Sequence, residues 1–527
     1  MLNFEDKIFD AIIVGSGPAG VSAAWPLVKS GKEVLMIDVG YEPSNDSQLS
    51  NKNDNISSSP KIHAPEFSYV FKDFKERYKL QTENFSAHGS LAKGGLSNAW
   101  SALVSTFANE EFDKFPFNRN DLMPHYSSVA KRIGISGTMT GDLIQWLGDE
   151  CLKQPNLPIH SLTEKLLQKY EKYKLKIQSY GIKLGRHDQA ILSRPHNNRP
   201  AFSQDAMNGY RETSGATYNS ADEISELENY PNFKYLSNFF VENAVQESLK
   251  CKIITTHIKK NSSQNFYSKL FIIAAGTIGS TKLALKINQY FNKPLSLQNT
   301  PMFRLALLFP GEIGRKAINK AFTYWHISYY LQLPSLPSKH KIYGHFAPTD
   351  GINLNELSKR IPLPAPLDTW IFKFLWPKML LGTCIFPGYF SNNKLQLKSN
   401  NVLHISGNTA NDYKYYVKQS KKILFKAFKK FGAILLTNPI SATHGKNIHG
   451  EDIHGEDIHY ASTMPMKAKP NIMETDVNGL LNGHGNIYIV DGSVLSELPA
   501  RSHTFTIMAN ADRIGKHIVN RLNNLNH

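Results

Sequence analysis

Apolar residues near the start of the chain form two short runs separated by a helical stretch. Residues 12–14 predict a buried parallel strand, and residues 33–37 predict a second strand. Residues 18–29, which lie between them, predict a helix. The order strand, helix, strand predicts a βαβ unit and therefore an α/β fold built on a parallel sheet.

Similar apolar runs return later in the chain. They predict strands at 232–247, 252–257, 271–275 and 486–490. The strand at 271–275 is expected to return to the first sheet and to be followed by a helix that begins at Ser280. A last helix is expected to begin near Thr504. Residues 290–440 are instead dense in proline and aromatic residues among strand-like stretches, which predicts a second domain that shapes a substrate site.

Glycines mark the turn after the first predicted strand. Gly15, Gly17 and Gly20 form a G-x-G-x-x-G pattern that opens the first helix. This pattern allows a tight turn, a close approach of a pyrophosphate and close packing of the helix on the strand. Asp38 ends the second strand, where it can accept from a ribose hydroxyl. The unit predicts a dinucleotide site whose contacts are Gly15, Gly17, Pro18, Ala19, Gly20 and Asp38.

Two further segments carry candidate contacts. In HGSLAKGGLSNAW, small and amide residues crowd beside one large ring, which a simple glycine turn over a buried tryptophan does not explain. The candidates there are Gly94, Gly95, Ser97, Asn98 and Trp100. Near the C-terminus, Asp491 and Gly492 follow a predicted strand and precede a predicted helix, where backbone N–H groups are available to an anionic group.

Composition limits the classes of function. The chain has 527 residues, too many for one compact core, and a formal net charge of +16. That charge favours an anionic partner, although lysines spread over a solvated surface give the same value. No nucleic-acid-binding motif occurs, so nucleic acid is not an expected partner. Three cysteines far apart and no apolar run of spanning length predict a cytoplasmic protein.

One segment suggests contact with a membrane surface. Trp370, Phe372 and Trp376 lie close together, with Lys373 and Lys378 beside them. Tryptophan and lysine together suit a peripheral membrane contact. The competing interpretation is a core segment or the wall of an apolar substrate tunnel.

Histidines recur every five residues at His444, His449, His454 and His459, within a duplicated IHGED sequence. A spacing of five does not place side chains on one face of a helix. A duplicated loop is therefore expected here, rather than a metal site.

Three ordered blocks resemble the glucose–methanol–choline (GMC) family of FAD-dependent oxidoreductases. They are IIVGSGPAG with Asp38, then KGGLSNAW, then HYASTMPM through DGSVL to HTFTIMANA, and AAGTIGS is a weaker fourth match. The resemblance implies an α/β fold with a discontinuous Rossmann-like FAD-binding domain and a second α+β substrate-binding domain. The FAD-binding parts would be 1–110, 201–290 and 456–527, with a helical substrate-side insertion at 111–200 and the substrate-binding domain at 291–455.

The resemblance also implies site residues. His459 opens the motif that carries the family's base, with Ser462 where glycine is usual, and its partner is His503 or, counted without gaps, Ser502. Ala99 stands where some members attach the flavin through histidine, so FAD is expected to bind non-covalently. The remaining cofactor contacts implied are Ala275, Asp491, Gly492, Thr504 and Thr506.

The expected activity is oxidation of a CH–OH group of a small alcohol or sugar-like substrate, with the proton going to a histidine and the hydride to the flavin. Two alternatives stay open. One is a peripheral membrane flavoprotein dehydrogenase that passes electrons to a quinone or a protein, and the other is a catalytically inactive FAD-binding protein. An NAD-linked dehydrogenase is a weaker alternative. The sequence indicates neither the substrate nor the electron acceptor.

Overall fold

The computed structural model describes residues 7–43, 67–144, 153–208, 211–248, 250–316, 325–349, 374–437 and 454–525. Nine α-helices lie within these ranges: α1 Pro18–Lys29, α2 Ser68–Phe71, α3 Phe74–Arg77, α4 Arg119–Ile133, α5 Ser161–Gln178, α6 Ser220–Leu227, α7 Gly276–Ile287, α8 Tyr413–Lys430 and α9 Thr504–Leu525. Twenty-one strands lie within them: β1 Ile8–Val14, β2 Val34–Ile37, β3 Leu80–Glu83, β4 Leu103–Val104, β5 Ile182–Gly185, β6 Asp188–Gln189, β7 Met207–Asn208, β8 Arg211–Glu212, β9 Phe233–Leu236, β10 Phe239–Gln246, β11 Cys251–His257, β12 Ser262–Ile273, β13 Leu295–Leu297, β14 Met302–Leu308, β15 Ile327–Leu331, β16 Ile342–Pro348, β17 Met379–Ile385, β18 Asn393–Leu397, β19 Leu403–Ser406, β20 Ile434–Thr437 and β21 Ile487–Ile489.

The largest sheet joins strands from separated parts of the chain. Strands β9, β2, β1, β12 and β21 lie side by side in that order and run parallel. The first half of the long strand β12 pairs antiparallel with β11, which pairs in turn with β10. Ile13 lies beside Met36 on one side and Ile272 on the other. The predicted return of the later strand to the first sheet is confirmed.

Strand β1 is buried on both of its faces, which accounts for its place at the centre of the sheet. Ile12 and Ile13 are both fully buried, as expected for a parallel strand covered on two faces. Ile13 belongs to an apolar cluster that includes Leu27 of α1 and Ile514 of α9, whereas Ile12 belongs to the cluster on the opposite face. Because parallel strands end at the same edge, the residues that follow β1, β2, β12 and β21 meet there.

A second sheet is antiparallel and has the order β20, β14, β17, β16, β15, β5. Five of its six strands come from the region at 290–440, where strand-like patterns are predicted. The sixth, β5, comes from much earlier in the chain. Helices α5 and α8 cover this sheet, with Leu166, Leu424 and Phe428 in its apolar cluster. A third sheet has four strands, in the order β13, β18, β19, β3.

Several predicted boundaries agree with the structure, but not all. Helix α1 has the predicted bounds, and α9 begins at Thr504 as expected. The strand predicted at 271–275 is wrong in its bounds, because β12 spans Ser262–Ile273 and its first half pairs with β11. The helix predicted to begin at Ser280 begins instead at Gly276. That prediction is wrong because Ser280 lies one turn inside α7, where its hydroxyl accepts from the N–H of Ala275 and donates to Asp491. Gly276, with φ of +75°, makes the turn into the helix.

Of the described residues of the aromatic segment, Trp376 and Lys378 belong to the core, whereas Phe374 is exposed. Trp376 is buried and packs in one cluster with Ala306 and Met379. The Lys378 ammonium is also buried and donates to the carbonyl of Phe374. Trp376 therefore supports the core interpretation of this segment. Residues Trp370, Phe372, Lys373, His444 and His449, which carry the rest of the membrane and histidine-repeat predictions, lie outside the described residues.

Within the described ranges, no helix combines the length and the apolar character that a membrane crossing requires.

Candidate active site

The first glycine turn contains both tightly packed and open positions. Gly15 has φ of +98°, and a Cβ on it would lie 2.3 Å from the carbonyl oxygen of Ala274. A Cβ on Gly20 would lie 2.0 Å from the carbonyl oxygen of Gly15. These two glycines are required for packing of strand and helix. By contrast, a Cβ on Gly17 meets no described atom within 4 Å. Open space therefore lies beside the N-terminus of α1, where Pro18 and Ala19 begin the helix.

The second glycine pair borders the first turn. Gly95, with φ of +57°, places its missing Cβ 3.2 Å from the Cα of Gly17. The N–H of Gly94 donates to the hydroxyl of Ser16 at 2.9 Å. The Ser220 hydroxyl lies 3.0 Å from the carbonyl oxygens of both Ser16 and Gly94. The two predicted glycine motifs thus form one surface, joined by serines that sequence reasoning missed.

Asp38 is buried at the end of β2. Its Oδ2 accepts from the N–H of Ser16 at 3.0 Å and from the hydroxyl of the same residue. Burial raises the pKa of Asp38 to about 6, and the hydrogen bonds from Ser16 oppose that shift. The carboxyl group therefore lies at the predicted edge of the sheet. The hydrogen bonds from Ser16 offset only part of the cost of burying its charged form.

Three candidates in the second segment use their polar atoms within the protein. The Asn98 amide donates to the carbonyls of Lys93 and Gly95 and accepts from Tyr69 and Asn219. The Ser97 hydroxyl donates to the carbonyl of Gly94 at 2.6 Å. The Trp100 indole N–H donates to the carbonyl of Tyr218 at 2.9 Å. In this structure Ser97 and Asn98 shape the loop that presents Gly94 and Gly95.

Ala275, Asp491 and Gly492 meet where β12 and β21 end. One Asp491 oxygen accepts from the hydroxyl of Ser280, and the other accepts from the N–H and the hydroxyl of Ser493 at 3.0 and 2.6 Å. A Cβ on Gly492 would lie 2.8 Å from the Thr277 hydroxyl oxygen. The carboxylate of Asp491 therefore ties α7 to the loop after β21. Any contact of this loop with a cofactor is expected through its backbone.

Two histidines from separate segments face each other. The ring centroids of His459 and His503 lie 5.0 Å apart, and their planes meet at 85°. His503 immediately precedes Thr504, the first residue of α9. The hydroxyl of Ser502 instead donates to the carbonyl of Leu103 at 2.6 Å. Of the two predicted partners, the structure brings His503 to His459, whereas Ser502 is bonded to β4.

Burial controls the charge of both rings. It lowers the pKa of His459, and the Asp457 carboxylate opposes that shift. Burial, together with the neighbouring His459, lowers the pKa of His503 well below its ordinary value. Both imidazoles are therefore neutral near pH 7. The buried Nδ1 of His503 has no hydrogen-bond partner among the described residues, which leaves it available to a bound molecule.

Thr506 does not join this pair. Its hydroxyl lies 2.7 Å from the hydroxyl of Tyr126, and both residues are buried. Thr506 therefore holds the first turn of α9 against α4 in this structure.

No family model matches the chain. Among curated proteins, paromamine 6'-oxidase of Streptomyces fradiae is 27% identical over 146 residues, which are 26% of this chain and 25% of that protein. The chain thus aligns with about a quarter of the length of the curated relatives it matches.

Two solved structures match nearly the whole chain. Pyridoxine 4-oxidase from Mesorbium loti has a TM-score of 0.60 at 14% identity, covering 97% of this chain and 99% of that one. Formate oxidase of Aspergillus oryzae RIB40, in a variant studied for FAD modification, has a TM-score of 0.67 at 13% identity, covering 99% and 100%. This chain has the fold of these two oxidases, which are GMC-family flavoenzymes. The predicted resemblance is confirmed.

A buried arginine supports the segment that carries His503. Arg501 has no exposed surface, and its Nε lies 3.0 Å from a carboxylate oxygen of Glu111. Its Nη1 donates to the carbonyl of Thr106 at 2.7 Å. Arg501 thus anchors the loop that carries His503. Sequence reasoning missed this pair because the two residues lie 390 positions apart.

A polar cluster on the antiparallel sheet was also missed. The Ser328 hydroxyl lies 2.8 Å from Nδ1 of His187 and 3.2 Å from Nδ1 of His345, and it accepts from Tyr343 at 2.8 Å. Burial lowers the pKa of both histidines, and His187 and then His459 lower the pKa of His345 further. No motif marks these residues, since they lie on separate strands.

Ser462 occupies a conformation that favours glycine. Its φ is +65°, a value in the left-handed region. We expect Ser462→Gly to raise the free energy of unfolding by about 0.5–1 kcal/mol, because relief of left-handed strain exceeds the entropic cost of glycine. Urea denaturation of both proteins measures this difference. Ser30→Gly is the control, since Ser30 has φ of −90° and gains nothing from glycine. An unchanged or lower stability of Ser462→Gly would contradict the strain argument.

Proposed function

We propose that this protein is an FAD-dependent oxidoreductase that oxidises a CH–OH group of a small alcohol or sugar-like molecule. The observation that carries the proposal is the pair of His459, which is half-buried, and His503, which is buried; both rings are neutral, and their centroids lie 5.0 Å apart. A neutral imidazole can accept a hydroxyl proton, and a second imidazole can orient that hydroxyl. The names of the oxidases that this chain resembles support the same chemistry.

FAD fits the residues at the edge of the parallel sheet. The open space at Gly17 and the N-terminus of α1 would receive its phosphates, and Asp38 would accept from its ribose. Gly94, Gly95 and the backbone near Gly492 and Thr504 would line the rest of the site. When bound, FAD supplies the acceptor for the hydride. Ala99 has no side-chain nucleophile, so we propose non-covalent binding.

We propose that the FAD-binding domain is discontinuous, with parts at 1–110, 201–290 and 456–527. Hydrogen bonding of β1, β2, β9, β12 and β21 in one sheet supports this division. The segments 111–200 and 291–455 would provide the substrate side. The antiparallel sheet, which draws five strands from the second of these segments, supports that assignment.

Within the proposed reaction, His459 accepts the proton of the substrate hydroxyl. His503 orients that hydroxyl and stabilises the charge that develops on its oxygen. Burial of His503 and partial burial of His459 lower the local dielectric constant, which strengthens these interactions. The hydrogen on the adjacent carbon then leaves with its electron pair.

An anaerobic visible spectrum tests this proposal. The purified protein, reconstituted with FAD, is titrated with simple alcohols, polyols, sugars, amino sugars, sterols and pyridoxine. Bleaching of the oxidised-flavin band by one compound is the expected result and identifies the substrate class. A protein that binds no FAD would overturn the proposal. A flavin that no compound bleaches would favour the catalytically inactive alternative.

The electron acceptor is a separate question. Because the similar proteins are named as oxidases, dioxygen is the favoured electron acceptor. Release of hydrogen peroxide during turnover would show that dioxygen accepts the electrons.

Docking on a membrane surface has less support because Trp376 is buried. Sedimentation with anionic vesicles at low salt tests this alternative.

Asp38 provides a prediction about FAD affinity. Asp38→Asn is expected to raise the Kd for FAD about 10-fold or more, because a charged acceptor is lost. In the wild-type protein, affinity is expected to fall as the pH drops through about 6, since Asp38 takes up a proton and loses its charge. The variant should lack this pH dependence. Fluorescence titration with FAD measures both effects.

Asp10→Asn is the matched control for Asp38→Asn. Asp10 lies on the same sheet, but its Oδ2 accepts from the N–H of Glu33 at the opposite ends of the strands. FAD affinity in Asp10→Asn should match wild type. Equal affinities of Asp38→Asn and wild type at pH 7.5 would contradict the assigned role of Asp38.

A further inference from the structure

The carboxylate of Asp457 receives three hydrogen bonds from two neighbouring residues. Its Oδ1 accepts from the Asn299 amide at 2.9 Å. Its Oδ2 accepts from the N–H of Thr300 at 2.7 Å and from the hydroxyl of Thr300 at 2.9 Å. The oxygens of a carboxylate accept hydrogen bonds and donate none. The single proton of the Thr300 hydroxyl is therefore directed toward Asp457.

The same hydroxyl oxygen contacts the candidate base. Oγ1 of Thr300 lies 2.8 Å from Nδ1 of His459. Because the threonine proton already points to Asp457, the Thr300 oxygen must accept in this contact. The imidazole proton therefore lies on Nδ1, and Nε2 of the neutral ring carries the lone pair.

The surrounding protein holds this arrangement in place. Asn299 and Thr300 are buried, and Oδ1 of Asn299 accepts from the amide of Asn393 at 2.8 Å, which fixes the amide that donates to Asp457. Between Asp457 and His459, Ile458 has φ of +58°, a conformation that is rare for a β-branched residue. This strained turn allows both flanking side chains to reach Thr300.

We propose that Thr300 and Asp457 are positioning residues that hold His459 with its proton on Nδ1, so that Nε2 accepts the proton of the substrate hydroxyl. This inference rests on the proposed function for the identity of the proton donor. After transfer, His459 carries protons on both nitrogens, and the Asp457 carboxylate, linked through Thr300, stabilises the positive ring. The hydrogen-bond assignment itself depends only on the contacts of these three residues.

The first test reads the tautomer without any substrate. The FAD-reconstituted, deuterated protein is labelled with ¹⁵N-histidine, and the His459 signals are assigned by their loss in His459→Gln. The expected ¹⁵N shifts and couplings are those of a ring protonated on Nδ1. Thr300→Val should convert this ring to a mixture of tautomers or to the Nε2-protonated form. An Nε2-protonated ring in the wild-type protein, or a tautomer unchanged by Thr300→Val, would overturn the proposal.

The second test uses the rate of anaerobic flavin reduction by a substrate found in the titration. Thr300→Val and Asp457→Asn should each lower the rate constant about 10–100-fold, with the Kd for substrate nearly unchanged. Thr300→Ser keeps the hydroxyl and should retain the rate within about threefold. Loss of rate in Thr300→Ser equal to that in Thr300→Val would indicate a packing role only and would contradict the proposal.

Thr255→Val is the matched control. Thr255 is also fully buried, and its hydroxyl donates to the carbonyl of Gln264 in the antiparallel part of the large sheet. The rate of flavin reduction in this variant should equal that of wild type. If no compound reduces the flavin, the proposed function fails, while the tautomer measurement still decides the inference about Thr300 and Asp457.

Discussion

Replacement of His459 by glutamine is expected to slow anaerobic flavin reduction by substrate about 10²–10⁴-fold, the usual contribution of a general base. Glutamine retains a hydrogen-bonding group of similar reach but cannot accept the hydroxyl proton. The Kd for substrate should change far less than the rate constant, because the hydroxyl can still be bound through His503. Stopped-flow absorbance at the flavin band measures both quantities.

The pH dependence of the rate of flavin reduction provides a second test of His459 as the base. Burial lowers the pKa of His459, so the wild-type rate should fall only below the ordinary histidine value near 6.5. The rate falls as the pH is lowered because protonation of His459 removes the lone pair that accepts the proton of the substrate hydroxyl. The Asp457 carboxylate raises the pKa of His459 against the effect of burial, and His459 in turn lowers the pKa of His503 and of His345. The acidic limb should be absent in His459→Gln.

His484→Gln is the control for the His459 variant. His484 is also half-buried, but its Nε2 lies 3.2 Å from the Asn288 side chain at the end of α7. Its rate of flavin reduction should match wild type. A His459→Gln protein that binds FAD normally and reduces it at the wild-type rate would assign the proton transfer to another group.

Local patterns in the sequence predict the parallel sheet well. The bounds of α1 follow from apolar spacing and from the glycines that open it, and these signals lie within about 30 residues. The position of Ser280 shows where local reasoning fails. A serine before a helical run resembles an N-cap, yet this hydroxyl bonds to Asp491, which is 211 positions away. Pairing across that separation has no local signature.

The residues of the candidate site are likewise predictable from the sequence only in part. The motif blocks identify His459 and leave two choices for its partner, because a shift of one residue exchanges Ser502 for His503. Three-dimensional contacts separate them, since Ser502 is bonded to Leu103. Thr300 lies 159 positions from His459 and occurs in no motif, so its role emerges only from the structure. Whole-chain identities of 13–14% to the structural neighbours explain why few positions outside the motifs carry a family signal.

Removal of the carboxylate of Glu111 is expected to reduce the free energy of unfolding by about 3–5 kcal/mol. Glu111 and Arg501 are both buried, and Glu111 also accepts from the N–H of Ala108 at 2.8 Å. Burial raises the pKa of Glu111, and the Arg501 charge opposes that shift. In Glu111→Ala the guanidinium stays buried but loses the carboxylate that it contacts. Urea denaturation of the FAD-bound protein measures the loss.

Two further variants separate the free-energy cost of leaving one charge buried alone from the net stabilisation by the ion pair. Glu111→Leu combined with Arg501→Met removes both charges and should lose less stability than Glu111→Ala, because no charge is left buried without its partner. Lys7→Ala breaks an exposed pair with Glu33 and should cost at most about 1 kcal/mol. Equal losses in Glu111→Ala and Lys7→Ala would show that Arg501 does not depend on Glu111. The loop before α9 would then hold His503 opposite His459 by packing and by the bond from Arg501 to Thr106.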